Sequence, residues 1–183
     1  HEARLRRVRT HRAHAVQITL AGDLEFEQRP VRILGRRAAH GIGRVHETLD
    51  ELLADPEVAV VAIAVVPAAQ TEIALTALDA GRDVMCQKPF ALDVADAERI
   101  VERAEARGRL VAVQQQMRFE EGVLAARAMV RAGWIGQVTA IRFEVDIATD
   151  FAGWGWLGHV PRLEILFHSI HYLDTIRAFL GDP

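Results

Sequence analysis

The chain has 183 residues, half of them apolar, and a formal net charge of −3. That length suits one domain, or one domain and part of another, with apolar content enough for a real core. No apolar run approaches the roughly 18 residues of a membrane span, no signal-peptide pattern opens the chain, and the single cysteine excludes a disulfide framework and fits a reducing cytoplasm.

The net charge hides an asymmetry. Residues 1–46 carry ten Arg, four acids and five of the eight His, and the remainder is strongly acidic. Residues 1–39 are the least regular part, and His1–His14 show neither a helical nor a strand period. Within them Ala15–Leu20 reads as one short strand and Val31–Leu34 as another. The basic run Arg4-Leu5-Arg6-Arg7-Val8-Arg9 has the composition of a nucleic-acid contact, but reads more naturally as a solvated tail, and no nucleic-acid partner is expected. No Gly-x-Gly-x-x-Gly occurs, and Gly41-Ile42-Gly43 reads as a turn. We therefore treat 1–39 as an atypical basic segment, at best one edge strand.

From His46 the pattern is regular. Thr48-Leu49-Asp50-Glu51 is a capping box opening a short helix, which Asp55-Pro56 stops. Val58–Val65 is a continuous apolar run, as in a parallel strand covered on both faces. Pro67 breaks it, and a helix is predicted over about 69–80, with Ile73, Leu75 and Leu78 inward and Gly81 as its stop. Asp83–Cys86 is the next strand, followed by the loop Gln87-Lys88-Pro89-Phe90. Asp93 caps an amphipathic helix that runs to Arg107 and ends at Gly108. Leu110–Val113 is a strand leading to Gln114-Gln115-Gln116, and a helix over about 120–132 ends at Gly133. Strands alternating with helices through short connections predict an α/β fold, a doubly wound parallel sheet.

After Gly136 the period changes. Residues 138–147 alternate polar and apolar, which predicts a half-buried strand of an open sheet. A loop over 148–162 holds Trp154 and Trp156, and Leu163–Leu180 reads as a helix. One strand and one helix do not complete a second domain, so the chain reads as cut off.

One residue stands out chemically. Lys88 is the only lysine, against 21 arginines. It follows a buried strand at the sheet's carboxyl end, where open α/β sheets place ligands. An ammonium there is a compact donor whose pKa falls readily on burial, hence a candidate for proton chemistry or simply a solvated loop lysine. On the last helix Glu164, His168 and His171 are spaced i, i+4, i+7, so they share one face. That face suits a catalytic histidine, a metal or hydrogen-bonded structural polars. Phe167, His171 and Asp174 form another pairing, in which Asp174 orients the imidazole.

Together these residues resemble the glucose–fructose oxidoreductase / inositol dehydrogenase / MocA family of NAD(P)-dependent oxidoreductases. The resemblance rests on Leu52-Leu53-Ala54-Asp55-Pro56 with its strand, Cys86-Gln87-Lys88-Pro89 after Ala80-Gly81-Arg82-Asp83-Val84, Arg118-Phe119, Gly133-Trp134-Ile135-Gly136-Gln137-Val138 and His171-Tyr172-Leu173-Asp174, in order from about His40 to Pro183. It implies a Rossmann-type sheet over 40–119, its first βα unit missing or unrecognisable, and the start of an α+β substrate domain over 120–183. It also implies hydride transfer between NAD or NADP and a hydroxyl carbon of a sugar, polyol or related small molecule, in a protein that is a homo-oligomer at full length. Lys88, His171 and Asp174 would be catalytic. Pro67, Gln70, Gln87, Lys88, Pro89 and Gln115 would line the cofactor, and no metal is implied.

The chain departs from that family in three places. Gln87 replaces the glutamate of the signature loop, Phe167 stands where an acid is frequent, and the glycine fingerprint that receives the pyrophosphate is missing. Either the protein has diverged and lost cofactor binding, or the sequence is incomplete or frame-shifted at its start. Since some family members are non-catalytic regulators, a binding or regulatory role is the alternative to catalysis.

Overall fold

The computed structural model describes residues 44–146 and 162–182, together with the backbone of residues 14–19. Strands His14–Thr19 (β1), Val58–Ala64 (β2), Asp83–Cys86 (β3) and Val111–Val113 (β4) form one sheet in the order β1-β2-β3-β4. All three pairings are parallel. The three predicted strands of 58–65, 83–86 and 110–114 are thus found within a residue or two. Among the described strands β1 and β4 lie at the two ends of that order, so one strand of the sheet comes from residues 1–39. The strand expected at Val31–Leu34 and the turn at Gly41–Gly43 lie outside the described residues, as do Trp154 and Trp156.

The helices begin and end where local chemistry says they should. Thr48 caps Leu49–Ala54 (α1), its hydroxyl accepting from the Glu51 N–H at 3.1 Å. The Glu51 carboxylate reaches back to the N–H of Glu47 at 2.9 Å, one residue further than a capping box requires. Pro67 is the first residue of Pro67–Asp79 (α2), where its missing N–H costs nothing. The proline that ends β2 therefore starts the helix, two residues earlier than predicted. Asp93 caps Val94–Arg107 (α3) through the Asp96 N–H at 2.8 Å, and Gly108 closes it with φ +61.

The strand registers put Val61, Val84 and Val111 in one row and Ile63, Cys86 and Val113 in the next on the same face. Ala74, Leu75, Ala77 and Leu78 of α2 and Ile100 and Ala104 of α3 bury that face. The row Ala62, Met85 and Ala112 faces the other way and is more open, with Met85 39% exposed. α2 and α3 are also tied across their outer edges, Arg99 to Glu72 at 3.1 Å and Arg103 and Arg107 to Asp79. Burial raises the pKa of the Cys86 thiol to about 12, so it is an inert core residue.

Beyond β4 come a 3₁₀ turn at Gln116–Phe119, Glu121–Arg131 (α4), a π-helical turn at Ile165–Ser169 and Ile170–Leu180 (α5). The alternating segment 138–146 is neither helix nor paired strand among the described residues. Alternation selects a face, but a strand is stabilised only by a neighbour's ladder. The segment's described contact is with α5, where Phe143 stacks on Tyr172 with ring centroids 5.1 Å apart.

Candidate active site

The sheet's topology carries β2, β3 and β4 to one carboxyl edge, and the loop Gln87-Lys88-Pro89 leaves from the middle of the three. A single buried side chain holds that loop. Gln70, 1% exposed in the first turn of α2, shares the two N–H bonds of its Nε2 among the carbonyls of Gln87 at 2.8 Å, Pro89 at 2.9 Å and Phe90 at 2.9 Å. Its Oε1 accepts from the Gln87 N–H at 3.0 Å. The amide is wholly committed to the loop backbone, so Gln70, expected at the cofactor, here holds the loop that carries Lys88. Pro67 and Pro89 are likewise buried, one as the start of α2 and the other beneath the loop, whose Lys88–Pro89 peptide is cis. The side chain of Gln87 also serves the loop: its Oε1 accepts from the Lys88 N–H at 2.9 Å and its Nε2 donates to Gln114 Oε1 at 3.2 Å.

The Lys88 ammonium crosses to the last helical segment. Nζ donates to the Phe167 carbonyl at 2.7 Å and lies 5.3 Å from the centroid of the Phe167 ring. The ring offers a cation–π contact where the family frequently has a charge. Among the described residues no carboxylate pairs with Lys88 in an ion pair, and burial lowers its pKa.

His171 lies one helical turn beyond Phe167 and is 9% exposed. Its Nδ1 is 2.9 Å from Gln115 Oε1, and its own carbonyl accepts from the Thr175 hydroxyl at 2.8 Å. Burial lowers the imidazole pKa, and the charge of Lys88 pushes it the same way, so the two groups sense one another. The neutral ring is therefore the stable form near neutral pH. Because the folded pKa lies below the unfolded value, the unfolded chain takes up the proton first as pH falls. Stability is thus lost from about pH 6.5 downward. We expect His171→Asn to flatten that loss, measured as the change in urea midpoint between about pH 7.5 and pH 5 relative to the unsubstituted chain. Equal pH dependence in both would show that His171 is not a buried neutral base.

Asp174 does not orient His171, contrary to the pairing expected from their spacing. Both of its carboxylate oxygens are taken by Arg118, Oδ1 by Nη2 at 2.6 Å and Oδ2 by Nε. A bidentate guanidinium satisfies a carboxylate better than one imidazole N–H does, and the pair raises the Arg118 pKa. The orienting partner is Gln115, expected instead at the cofactor.

Nor do Glu164, His168 and His171 form one joint site among the described residues. A π turn at Ile165–Ser169, wider than an α turn, lies between Glu164 and His171. Glu164 Oε2 meets His168 Nδ1 at 2.7 Å and Glu164 Oε1 accepts from the Ser169 hydroxyl at 3.3 Å, while His171 turns to Gln115. Among the described residues no group of three or more His, Cys, Asp or Glu is placed to hold a metal.

Lys88 and His171 thus converge on the Phe167–His171 turn from a strand end and a helix 83 positions later in the chain. One is a donor and the other a neutral base, the pair that an alcohol–carbonyl interconversion needs. For a nicotinamide cofactor the carboxyl ends of β2, β3 and β4 present Val65, Val66, Gln87 and Gln114, neutral and partly open. That lining fits an uncharged amide-bearing ring, and the turn after β1 lies outside the described residues. No described helix is long and apolar enough to cross a membrane.

Comparison with known proteins bears on the family and the fold. Residues 5–115 match the model of the oxidoreductase family with an NAD-binding Rossmann fold. The chain is 30% identical over 150 residues to 1,5-anhydro-D-fructose reductase of Ensifer adhaerens, covering 78% of this chain and 44% of that protein. It is 38% identical over 96 residues to inositol 2-dehydrogenase of Gluconacetobacter diazotrophicus, covering 52% of this chain and 28% of that one. The chain therefore spans less than half the length of the curated relatives it matches. Among solved structures, an oxidoreductase from Agrobacterium radiobacter in complex with NAD+, L-tartaric acid and magnesium superposes with a TM-score of 0.74 at 26% identity, over 92% of this chain and 47% of that one. The match begins at residue 5, inside the segment read as atypical. With parallel strands, signature loop and helix histidine in place, the chain belongs to the glucose–fructose oxidoreductase / inositol dehydrogenase / MocA family of oxidoreductases, with an NAD-binding Rossmann fold.

Proposed function

We propose that this chain is part of an NAD(P)-dependent dehydrogenase that oxidises a secondary hydroxyl of a sugar or polyol, or reduces the matching carbonyl. The observation that carries the reading is the reach of the Lys88 ammonium to the Phe167 carbonyl, four residues before His171 on the last helical segment, beside the open carboxyl ends of β2–β4. The names of two relatives, an anhydrofructose reductase and an inositol dehydrogenase, support a polyhydroxylated substrate. The cofactor, when bound, accepts or supplies the hydride. The chain's own residues do the rest: Lys88 holds the substrate oxygen by donating to it, His171 handles its proton, and Gln70 keeps Lys88 in reach. The cytoplasm and a homo-oligomer are the setting we propose for the full-length protein.

The test is a fluorescence titration with NADH and NADPH of this chain and of a full-length relative carrying the same loop. We expect the relative to bind one of the two. This chain, which lacks a Gly-x-Gly-x-x-Gly turn, is expected to bind at least about tenfold more weakly, as befits loss of the pyrophosphate cradle. A relative that binds neither would sink the dehydrogenase reading, and equal tight binding by both would sink the role given to the glycine turn.

A further inference from the structure

We infer that Gln115 is a positioning residue that locks His171 in its Nδ1–H tautomer, so that Nε2 is the nitrogen that accepts a proton. Its bearing on catalysis rests on the dehydrogenase reading above; the tautomer itself does not.

The argument starts from donor counts. A neutral imidazole has one N–H, and a carboxamide oxygen only accepts. With Gln115 Oε1 2.9 Å from His171 Nδ1, the proton sits on Nδ1 and the lone pair on Nε2. The contact is held from both sides. Gln115 donates its backbone N–H to Val113 at the end of β4 (2.9 Å), and its carbonyl accepts from the N–H of Arg118 (3.2 Å). Three residues on from each partner, Arg118 grips Asp174. Two ties three residues apart join the 3₁₀ turn to α5, so the backbones that carry Gln115 and His171 are held together by the Arg118–Asp174 pair as well.

The neutral amide also matters for charge. The charged or titratable groups that act on His171 are Lys88 from the loop after β3, Glu120 from the start of α4, and His168 and Asp174 from its own helix. Asp174 is already committed to Arg118. A carboxylate at position 115 would favour the imidazolium, whereas an amide orients the ring and leaves it uncharged. In the alcohol-oxidising direction the hydroxyl O–H bond breaks and its proton goes to Nε2. The carbon–hydrogen bond breaks with its electron pair, which leaves as hydride for an oxidised nicotinamide, and the C–O bond becomes a carbonyl. His171 ends as imidazolium, with the Nδ1–H still held by Gln115.

The experiment reads the tautomer directly. Two-bond proton–nitrogen correlation spectra of the ¹⁵N-labelled chain at about pH 8, above the ordinary imidazole range, report which ring nitrogen is protonated. The His171 signals are identified by their absence in His171→Asn. We expect Nδ1 protonated and Nε2 bare. Gln115→Glu should keep that tautomer and raise the protonation midpoint by about one pH unit or more. Gln115→Leu, with an otherwise unchanged amide spectrum, should move the proton to Nε2. An Nε2–H ring in the unsubstituted chain, or a Gln115→Glu variant with an unmoved midpoint, overturns the proposal. No cofactor or substrate is present, so this outcome is independent of the cofactor titration: either can fail while the other stands.

Discussion

Gln70→Leu is expected to destabilise the chain by about 3–5 kcal/mol, a large share of a typical domain's stability. Leucine fills a similar volume on α2 but donates nothing. The carbonyls of Gln87, Pro89 and Phe90 would all lose their Gln70 donor. A buried acceptor left without a partner costs about 1–3 kcal/mol. The carbonyls of Gln87 and Phe90 are part-buried, so water relieves some of the loss, whereas the Pro89 contact is buried. The Gln87 N–H keeps a second acceptor in the Ile63 carbonyl at 3.1 Å and adds little to the cost. Gln70→Glu should be at least as damaging, because it sets acceptors against acceptors and a charge in a site 1% exposed. The measurement is the urea midpoint at unchanged slope, which isolates stability from compactness. A loss below about 1 kcal/mol for Gln70→Leu would mean that the loop is held by something other than this amide.

That clamp shows where the sequence stops being readable. The strands of 58–64, 83–86 and 111–113 are runs of apolar residues closed by Pro67, by the Gln87–Pro89 loop and by Gln114, and both their position and their parallel pairing follow from local pattern. The stops at Gly81 and Gly108 are equally local, since a left-handed residue with φ +75 or +61 is what glycine supplies cheaply. Gln70 is different. It lies four residues before Ala74 and eight before Leu78, on the buried side of α2, and that spacing is the one signal the sequence offers for it. A polar residue on an apolar face is ordinarily discounted, and only the fold shows three carbonyls waiting for it. Asp174 and His171 fail as a pair for a similar reason. Spacing ranks partners within one helix, but Arg118 arrives from another element with a better-matched fork. Arg118-Phe119 is visible as a motif, though not as a brace. The π turn at Ile165–Ser169 has no simple spacing signature, and α-helical spacing therefore does not rank the partners of Glu164, His168 and His171. The alternation of 138–146 is a strand pattern that lacks only a described partner strand to become a ladder.

Lys88→Met should cut turnover of the full-length enzyme by about 10²–10⁴-fold, the range for loss of a positioned proton-handling or donor group, with cofactor affinity nearly kept. The Phe167 carbonyl that Lys88 now meets at 2.7 Å also fixes where the ammonium can reach, since the stem spans from the β3 loop to the last helix. Methionine preserves the apolar length of that stem and its contact with the Phe167 ring while removing the donor. Stability should change little, because loss of the hydrogen bond to the Phe167 carbonyl is offset by no longer burying an ammonium that no carboxylate pairs with among the described residues. A fall in turnover with stability held is therefore the signature of a group kept for chemistry. Lys88→Arg should fail as well: the charge survives, but a planar fork does not replace a point donor between a helix carbonyl and a substrate oxygen. Because the Lys88 charge helps to depress the His171 pKa, Lys88→Met should also let the His171 midpoint rise, which an unrelated loop lysine would not do. Unchanged turnover together with an unchanged His171 midpoint would remove Lys88 from the site.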